Sequence, residues 1–199
     1  HKAESRVLCD AVEGDGVHTG VVNTIRRETD GRFVGTLLDG RGFVRGLQNE
    51  GHAAEGRRFY LAGAGGAGTA LAYALAATGA AALTIHNRTR SKAEALAAGV
   101  KAAFPACDVR LGTADASGHD VAINATSLGL KPDDGHSFDL GSVDKTALVA
   151  EVVMKPDMTP LLIAAKDRGY KIHFGIHMLN SQLELMMQFL GLAPREGKT

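Results

Sequence analysis

The chain has 199 residues, enough for one large domain or one and a half small ones around a sizeable core. Lys plus Arg and Asp plus Glu number 22 each, so no global field draws the chain to nucleic acid or to an anionic membrane. The longest apolar stretch, residues 69–82, is too short to span a bilayer and is interrupted by Tyr73, Thr78 and Gly79.

Residues 2–8 read as a helix, and Gly14-Asp15-Gly16 as a turn. Residues 20–25 read as a strand, Thr29-Asp30-Gly31 as a hairpin turn and residues 33–38 as the returning strand. Asp39-Gly40 should end that strand, with a helix beginning over 42–47. The polar segment 48–57 is the expected boundary. Cys9 lies in the first part and Cys107 far beyond it, without metal spacing. They read as reduced thiols of a cytoplasmic protein, although a single bridge stays open on sequence alone.

Phe59-Tyr60-Leu61-Ala62 is an apolar run followed by Gly63-Ala64-Gly65-Gly66-Ala67-Gly68, an alanine-rich stretch to Gly79 and a second apolar run, residues 82–86. This is a β-α-β unit. Gly63, Gly65 and Gly68 fit the spacing G-x-G-x-x-G: the first for a tight turn, the second for approach to a pyrophosphate, the third for close helix–strand packing. The helix start then offers free N–H groups to phosphates. Farther on, residues 91–98 read as a helix ending at Gly99, and 108–111, 120–124, 146–153 and 171–174 as strands. A helix opens at Thr159-Pro160 and closes at Gly169. A last helix runs over 178–190, with Leu179, Leu183, Met186 and Met187 on its apolar face. The fold class is therefore α/β, a Rossmann-type doubly wound parallel sheet, with its ligand at the carboxyl ends of the strands.

A carboxylate for a ribose 2′-hydroxyl is expected at the end of the second strand of an NAD-binding unit. That place reads His86-Asn87-Arg88-Thr89-Arg90-Ser91-Lys92. An arginine fork suits a 2′-phosphate instead, so the cofactor read from these residues is NADP. Arg88 is the main ligand, Asn87 and Thr89 are hydrogen-bond donors, and Lys92 or Arg90 is a second cation. His18, His119, His136 and His177 show no metal spacing and read as surface histidines, so no metal is expected.

Taken together, Asn23-Thr24, Asp39-Gly40, Gly42-Phe43, the glycine loop, Asn87-Arg88-Thr89, residues 124–129, Thr159-Pro160-Leu161-Leu162, Gly175, Met178-Leu179 and Gln182 resemble the shikimate dehydrogenase family over nearly the whole chain. His1-Lys2 is similar to the end of that family's Pro-His-Lys motif. The resemblance implies reversible hydride transfer between NADPH and the ring ketone of 3-dehydroshikimate or a close cyclic polyol analogue, in a cleft between two domains, and a role in chorismate and aromatic amino acid biosynthesis. It implies an acid–base pair of Lys2 and Asp39, with Asn23 and Gln182 on the substrate. It also implies Asn124, Thr126 and Ser127 along the cofactor cleft and Gly175 near the nicotinamide carboxamide. The glycine-loop residues Gly63, Ala64, Gly65, Gly66, Ala67 and Gly68 would cradle the pyrophosphate. The implied division is a carboxyl-side remainder of a smaller α/β substrate domain (1–47), an NADP-binding domain (56–175) and a terminal helix (176–199) returning to the substrate domain. The partner is a small molecule; the oligomeric state is open, with a homodimer as the expectation.

Three departures stand out. The chain starts at His1 and carries no counterpart of the family's amino-terminal segment, so a fragment or processed chain is expected. The family's Asn-Thr-Asp-Gly reads Leu37-Leu38-Asp39-Gly40, which should remove a partner of a substrate hydroxyl, a loss of about 1–3 kcal/mol. Met154 stands where the family has a tyrosine, and Glu151 where it has an aspartate. Quinate is the alternative substrate. An NADP-binding regulatory module without turnover is the alternative of another class.

Overall fold

The computed structural model describes residues 2–192, with side chains from Glu4 onward, so the side chain of Lys2 lies outside the described residues. Helix α1 (Lys2–Ser5) and a 3-10 turn lead into β1 (Ala11–Gly14), α2 (Asp15–Thr19), β2 (Thr24–Arg27) and β3 (Phe33–Leu37). These strands form a sheet in the order β1-β3-β2, with β1 parallel and β2 antiparallel to β3. The hairpin turn is where its residues placed it: Glu28 N–H donates to the Arg32 carbonyl at 2.8 Å, and Gly31 adopts a φ of 92°. Residues 14–16 are no turn, however. They end β1 and start α2, and β2 begins only at Thr24, because Gly20 closes α2 in the left-handed region at φ 66°.

Six strands make the second sheet: β4 (Arg58–Ala62), β5 (Ala82–His86), β6 (Asp108–Leu111), β7 (Val121–Asn124), β8 (Leu148–Glu151) and β9 (Lys171–His173). Their order is β6-β5-β4-β7-β8-β9, every pair parallel. The strands are apolar on both faces because both faces are covered. Phe59 and Leu61 of β4 join one buried cluster with Leu71, Leu75, Leu96 and Val100. Tyr60 and Ala62 join the other, with Leu161, Leu162 and Tyr170. The strand order reverses between β4 and β7, which opens a crevice at their carboxyl ends.

Helices α4 (Gly66–Ala77) and α5 (Arg90–Ala103) pack on one face and α6 (Pro160–Asp167) on the other. α5 runs straight through Gly99, where it was expected to stop; there the glycine is a close-packing site, since a Cβ would lie 2.5 Å from the Tyr73 hydroxyl. Helix α3 (Asp39–Asn49) begins at Asp39 rather than Gly42 and lies against both α4 and α7 (Gly175–Phe189). Three glycines weaken its intrinsic helicity but permit this clasp. A Cβ on Gly40 would collide with the Ala70 carbonyl, and one on Gly42 would lie 2.8 Å from Gln182 Cβ. α7 starts three residues earlier than expected, and its buried face is Met178, Ser181, Gln182 and Leu185. Leu183 and Met187 are about half exposed, because the α3 glycines press against the Met178–Gln182 side.

Candidate active site

The glycine loop sits at the crevice between β4 and β7. Gly63 has a φ of 118° and lies under the Ala125 backbone, so no side chain fits there. Gly68 passes directly over the Gly63 carbonyl, which seats α4 on the end of β4. Gly65 and Gly66 are exposed and meet nothing within 4 Å, leaving the backbone open to a ligand. Gly65 caps α4 without any side-chain hydrogen bond, so the first N–H groups face that space for an anion. Ala64 and Ala67 line the loop between these glycines; the Ala64 N–H donates to Asn87 Oδ1 at 3.1 Å.

Asn87 lines the cavity at this end of the crevice, and that bond gives it a structural role as well. Its Nδ2 donates to the Thr89 carbonyl at 2.9 Å, so the amide ties the loop to the β5–α5 turn, with the second N–H of that amide left for a ligand. Arg88, Thr89 and Lys92 are exposed and, with Gly63, Gly65 and residues 125–128, line a cavity of about 300 Å³. Arg90 is held in an ion pair with Glu94 at 2.9 Å, which leaves Lys92 as the second cation at the cavity. The group these residues fit is a dinucleotide with an anionic ribose. An open glycine backbone lies at one end, and two cations with no carboxylate lining the cavity lie at the other.

Asn124 does not line the cleft. It is 1% exposed, and its Nδ2 donates to Glu151 and to the Leu128 carbonyl while Oδ1 accepts from Thr126 N–H and hydroxyl. The family resemblance implied it along the cofactor cleft, but at the end of β7 its side chain lies beneath the crevice rather than in it. Thr126 and Ser127 do line the cavity. Thr126 also borders a second, more apolar cavity of about 470 Å³ formed with Val152, Val153, Met154, Ile176 and Leu179. Gly175 opens α7 beside it, and a Cβ there would strike the Val153 carbonyl, so this glycine sets the spacing of the wall.

Across α7, Gln182 Nε2 donates to Asp39 Oδ1 at 3.0 Å, joining residues 143 apart in sequence. Asn23 is half-buried; its Oδ1 accepts from the Leu38 N–H at 3.2 Å and the Thr24 hydroxyl at 3.1 Å, which fixes the entry to α3. Leu37 and Leu38 are 2% and 1% exposed. They are core residues, not the substrate-facing pair expected above: β3 must bury them to seat α3. Of the supposed surface histidines, His18 and His136 are exposed, but His119 and His177 are half-buried. His119 Nε2 lies 2.8 Å from the Thr84 hydroxyl. His177 belongs to a cluster the sequence did not reveal, in which buried His173 packs against Phe43, His52 and His177. Burial, then His177 and His52, hold the His173 pKa down to about 3. The four-residue spacing of His173 and His177 was its only trace in the sequence. Among the described residues no group of three or more metal-ligating side chains could hold an ion, and no helix is long and apolar enough to cross a membrane.

A parallel sheet in this order, with a glycine loop at its reversal and a cationic pocket beyond it, defines a Rossmann-type dinucleotide-binding protein. The family model for shikimate / quinate 5-dehydrogenase matches residues 47–129. A shikimate dehydrogenase (NADP(+)) of Geobacter metallireducens is 34% identical over 206 residues, spanning 99% of this chain and 72% of that protein. The chain belongs to the shikimate dehydrogenase family. Its fold is similar to ligand-free 5-ketofructose reductase of Gluconobacter sp. strain CHM43 (TM-score 0.87, 33% identity, 96% of this chain and 70% of that one). It is also similar to shikimate 5-dehydrogenase of Listeria monocytogenes in complex with shikimate and NAD (TM-score 0.89, 26% identity, 97% and 71%).

Proposed function

We propose that this protein is an NADP-dependent oxidoreductase interconverting 3-dehydroshikimate, or a closely related cyclic hydroxyketone, and its alcohol. The observation that carries the reading is the continuity of the site. The cationic cavity meets the apolar one at Thr126. Ile176 and Leu179 of α7 form the far wall, and Gln182, one turn on, holds Asp39. A dinucleotide seated on the glycine loop would thus reach toward the Asp39 end.

When bound, NADPH supplies the hydride. The chain's residues do the rest. Arg88 and Lys92 hold the 2′-phosphate, and the α4 N-terminus holds the pyrophosphate. A carbonyl that gains hydride becomes an alkoxide, so an ammonium beside it, Lys2, must donate a proton to that oxygen. Asp39 orients the ammonium and accepts from an adjacent substrate hydroxyl, while Gln182 fixes the rotamer of Asp39. Asn23 faces ring hydroxyls from the end of the small sheet. The division into residues 1–47, 56–175 and 176–199 follows the same reading, with α7 packing on α3, and the family points to a role in chorismate and aromatic amino acid biosynthesis.

The likeness to 5-ketofructose reductase favours a second substrate class, a ketosugar, alongside quinate. One assay separates these readings: the purified protein with NADP or NAD and shikimate or quinate, and with NADPH or NADH and 5-ketofructose, followed by reduced-cofactor absorbance. The fastest turnover is expected for shikimate with NADP. Tight NADP binding without turnover of any substrate would replace this reading with a regulatory module.

A further inference from the structure

Between the two cavities lies a buried carboxylate that none of these roles uses. Glu151 ends β8, beside Asn124 at the end of β7, and is fully buried. Its Oε1 accepts from the Val152 and Val153 N–H groups at 2.9 and 3.0 Å, and its Oε2 from the Thr159 hydroxyl at 3.0 Å. Asn124 Nδ2 lies 3.0 Å from both oxygens. Three of these four partners, the two backbone N–H groups and the Asn124 amide, can only donate, which suits an acceptor-only ionised carboxylate. Burial raises the Glu151 pKa, and the bonds from Asn124, Val153, Thr159 and Val152 oppose that shift. So costly a charge, one strand from the cleft, calls for a function.

Its bonds lead to both walls. Through Asn124 it reaches Thr126, whose hydroxyl donates to Asn124 Oδ1 at 2.7 Å and accepts from Leu128 N–H at 3.0 Å. Thr126 in turn lies against Gly63 of the glycine loop. Through its bonds to Val152 and Val153 it fixes the strand exit that carries Met154 into the second cavity. We propose that Glu151 is a positioning residue for the dinucleotide: a single buried carboxylate sets the loop of residues 126–128 on one side of the cleft and the 152–154 wall on the other. The proposal rests on the cofactor reading above. Arg88 and Lys92 make no bond to Glu151 and share with it only the wall of residues 126–128, whereas the second cavity is framed by both that loop and the 152–154 wall, so the adenosine end of the ligand should feel Glu151 less than the nicotinamide half.

The test is Glu151→Gln, which keeps shape but turns an NH2 group toward donors. NADPH affinity, read by fluorescence titration, should fall about tenfold, the scale of one mismatched buried hydrogen bond. Affinity for adenosine 2′,5′-bisphosphate, which lacks the nicotinamide half, should stay within about threefold. Should Glu151→Gln not fold, Thr159→Val removes one donor from outside both cavities and should show the same split at smaller size. Unchanged NADPH affinity overturns the proposal, as does an equal loss for both ligands. If the wild-type protein binds NADH in place of NADPH, the NADP reading fails, and the same split between NADH and AMP decides Glu151. Binding of neither dinucleotide overturns both.

Discussion

The two ends of the cleft are built in opposite ways. The cofactor end comes from two short consecutive stretches, the glycine loop and residues 87–92, and much of it is backbone: open N–H groups at the start of α4 with cations beside them. The proposed substrate end is assembled from side chains that meet only in the folded chain, Asp39 of α3 against Gln182 of α7, with Asn23 bracing the turn between β3 and α3. Backbone sites tolerate side-chain change but no added Cβ; side-chain sites show the reverse. The clasp of α3 between α4 and α7 joins the two ends, so perturbations can be aimed at one end, the other or the joint.

The largest effect is expected at the substrate end alone. Asp39→Asn keeps an acceptor for Gln182 but removes the charge that orients the proton donor, and should lower kcat about 10²–10⁴-fold. NADP affinity should be unchanged in the same protein; a parallel loss of cofactor binding would mean the two ends are not separable. Gly40→Ala strikes the joint. Its methyl collides with the Ala70 carbonyl, and such overpacking costs about 1–3 kcal/mol. Urea unfolding should show that loss, with cofactor binding and turnover both impaired. Arg88→Ala addresses the cofactor end. Loss of a charge-assisted contact, about 1.5–3 kcal/mol, should raise the NADP KM tenfold or more. The NAD KM should hardly move, and equal shifts would remove Arg88 from the 2′-phosphate site.

This contrast also explains what the sequence disclosed. The β-α-β unit, the parallel order of strands and the cationic turn were legible because each is a local pattern with a local physical cause. Asp39 and Gln182 were legible only through family resemblance, since nothing in either neighbourhood announces the other. Asn124 and Glu151 show where position misleads. Both end strands at the crevice, but their side chains turn into a buried network that reads, in sequence, like any polar strand end. Leu37 and Leu38 looked like lost polar contacts because the motif was compared letter by letter, while burial is a property of the packed sheet.

The smallest effect separates the ends by pH. His173 is 1% exposed beside the α3–α7 contact, with His52 and His177 against it and Glu50 3.8 Å from His177. The unfolded chain takes up a proton there near pH 6.5, while the folded chain refuses it until about pH 3. Below pH 6.5 the unfolded state therefore holds more protons, and stability falls as pH falls. The loss is of order 1–2 kcal/mol by pH 5. Phe at this position packs like the buried imidazole but cannot titrate, so His173→Phe should flatten the difference in urea midpoint between pH 7 and pH 5, whatever constant cost the larger ring adds. No comparable buried base lines the cofactor cavity, so Arg88→Ala should leave the wild-type pH slope intact. A slope that survives in His173→Phe would rule out His173 as its source, and would leave the packing of α3 on α7 insensitive to the charge state of β9.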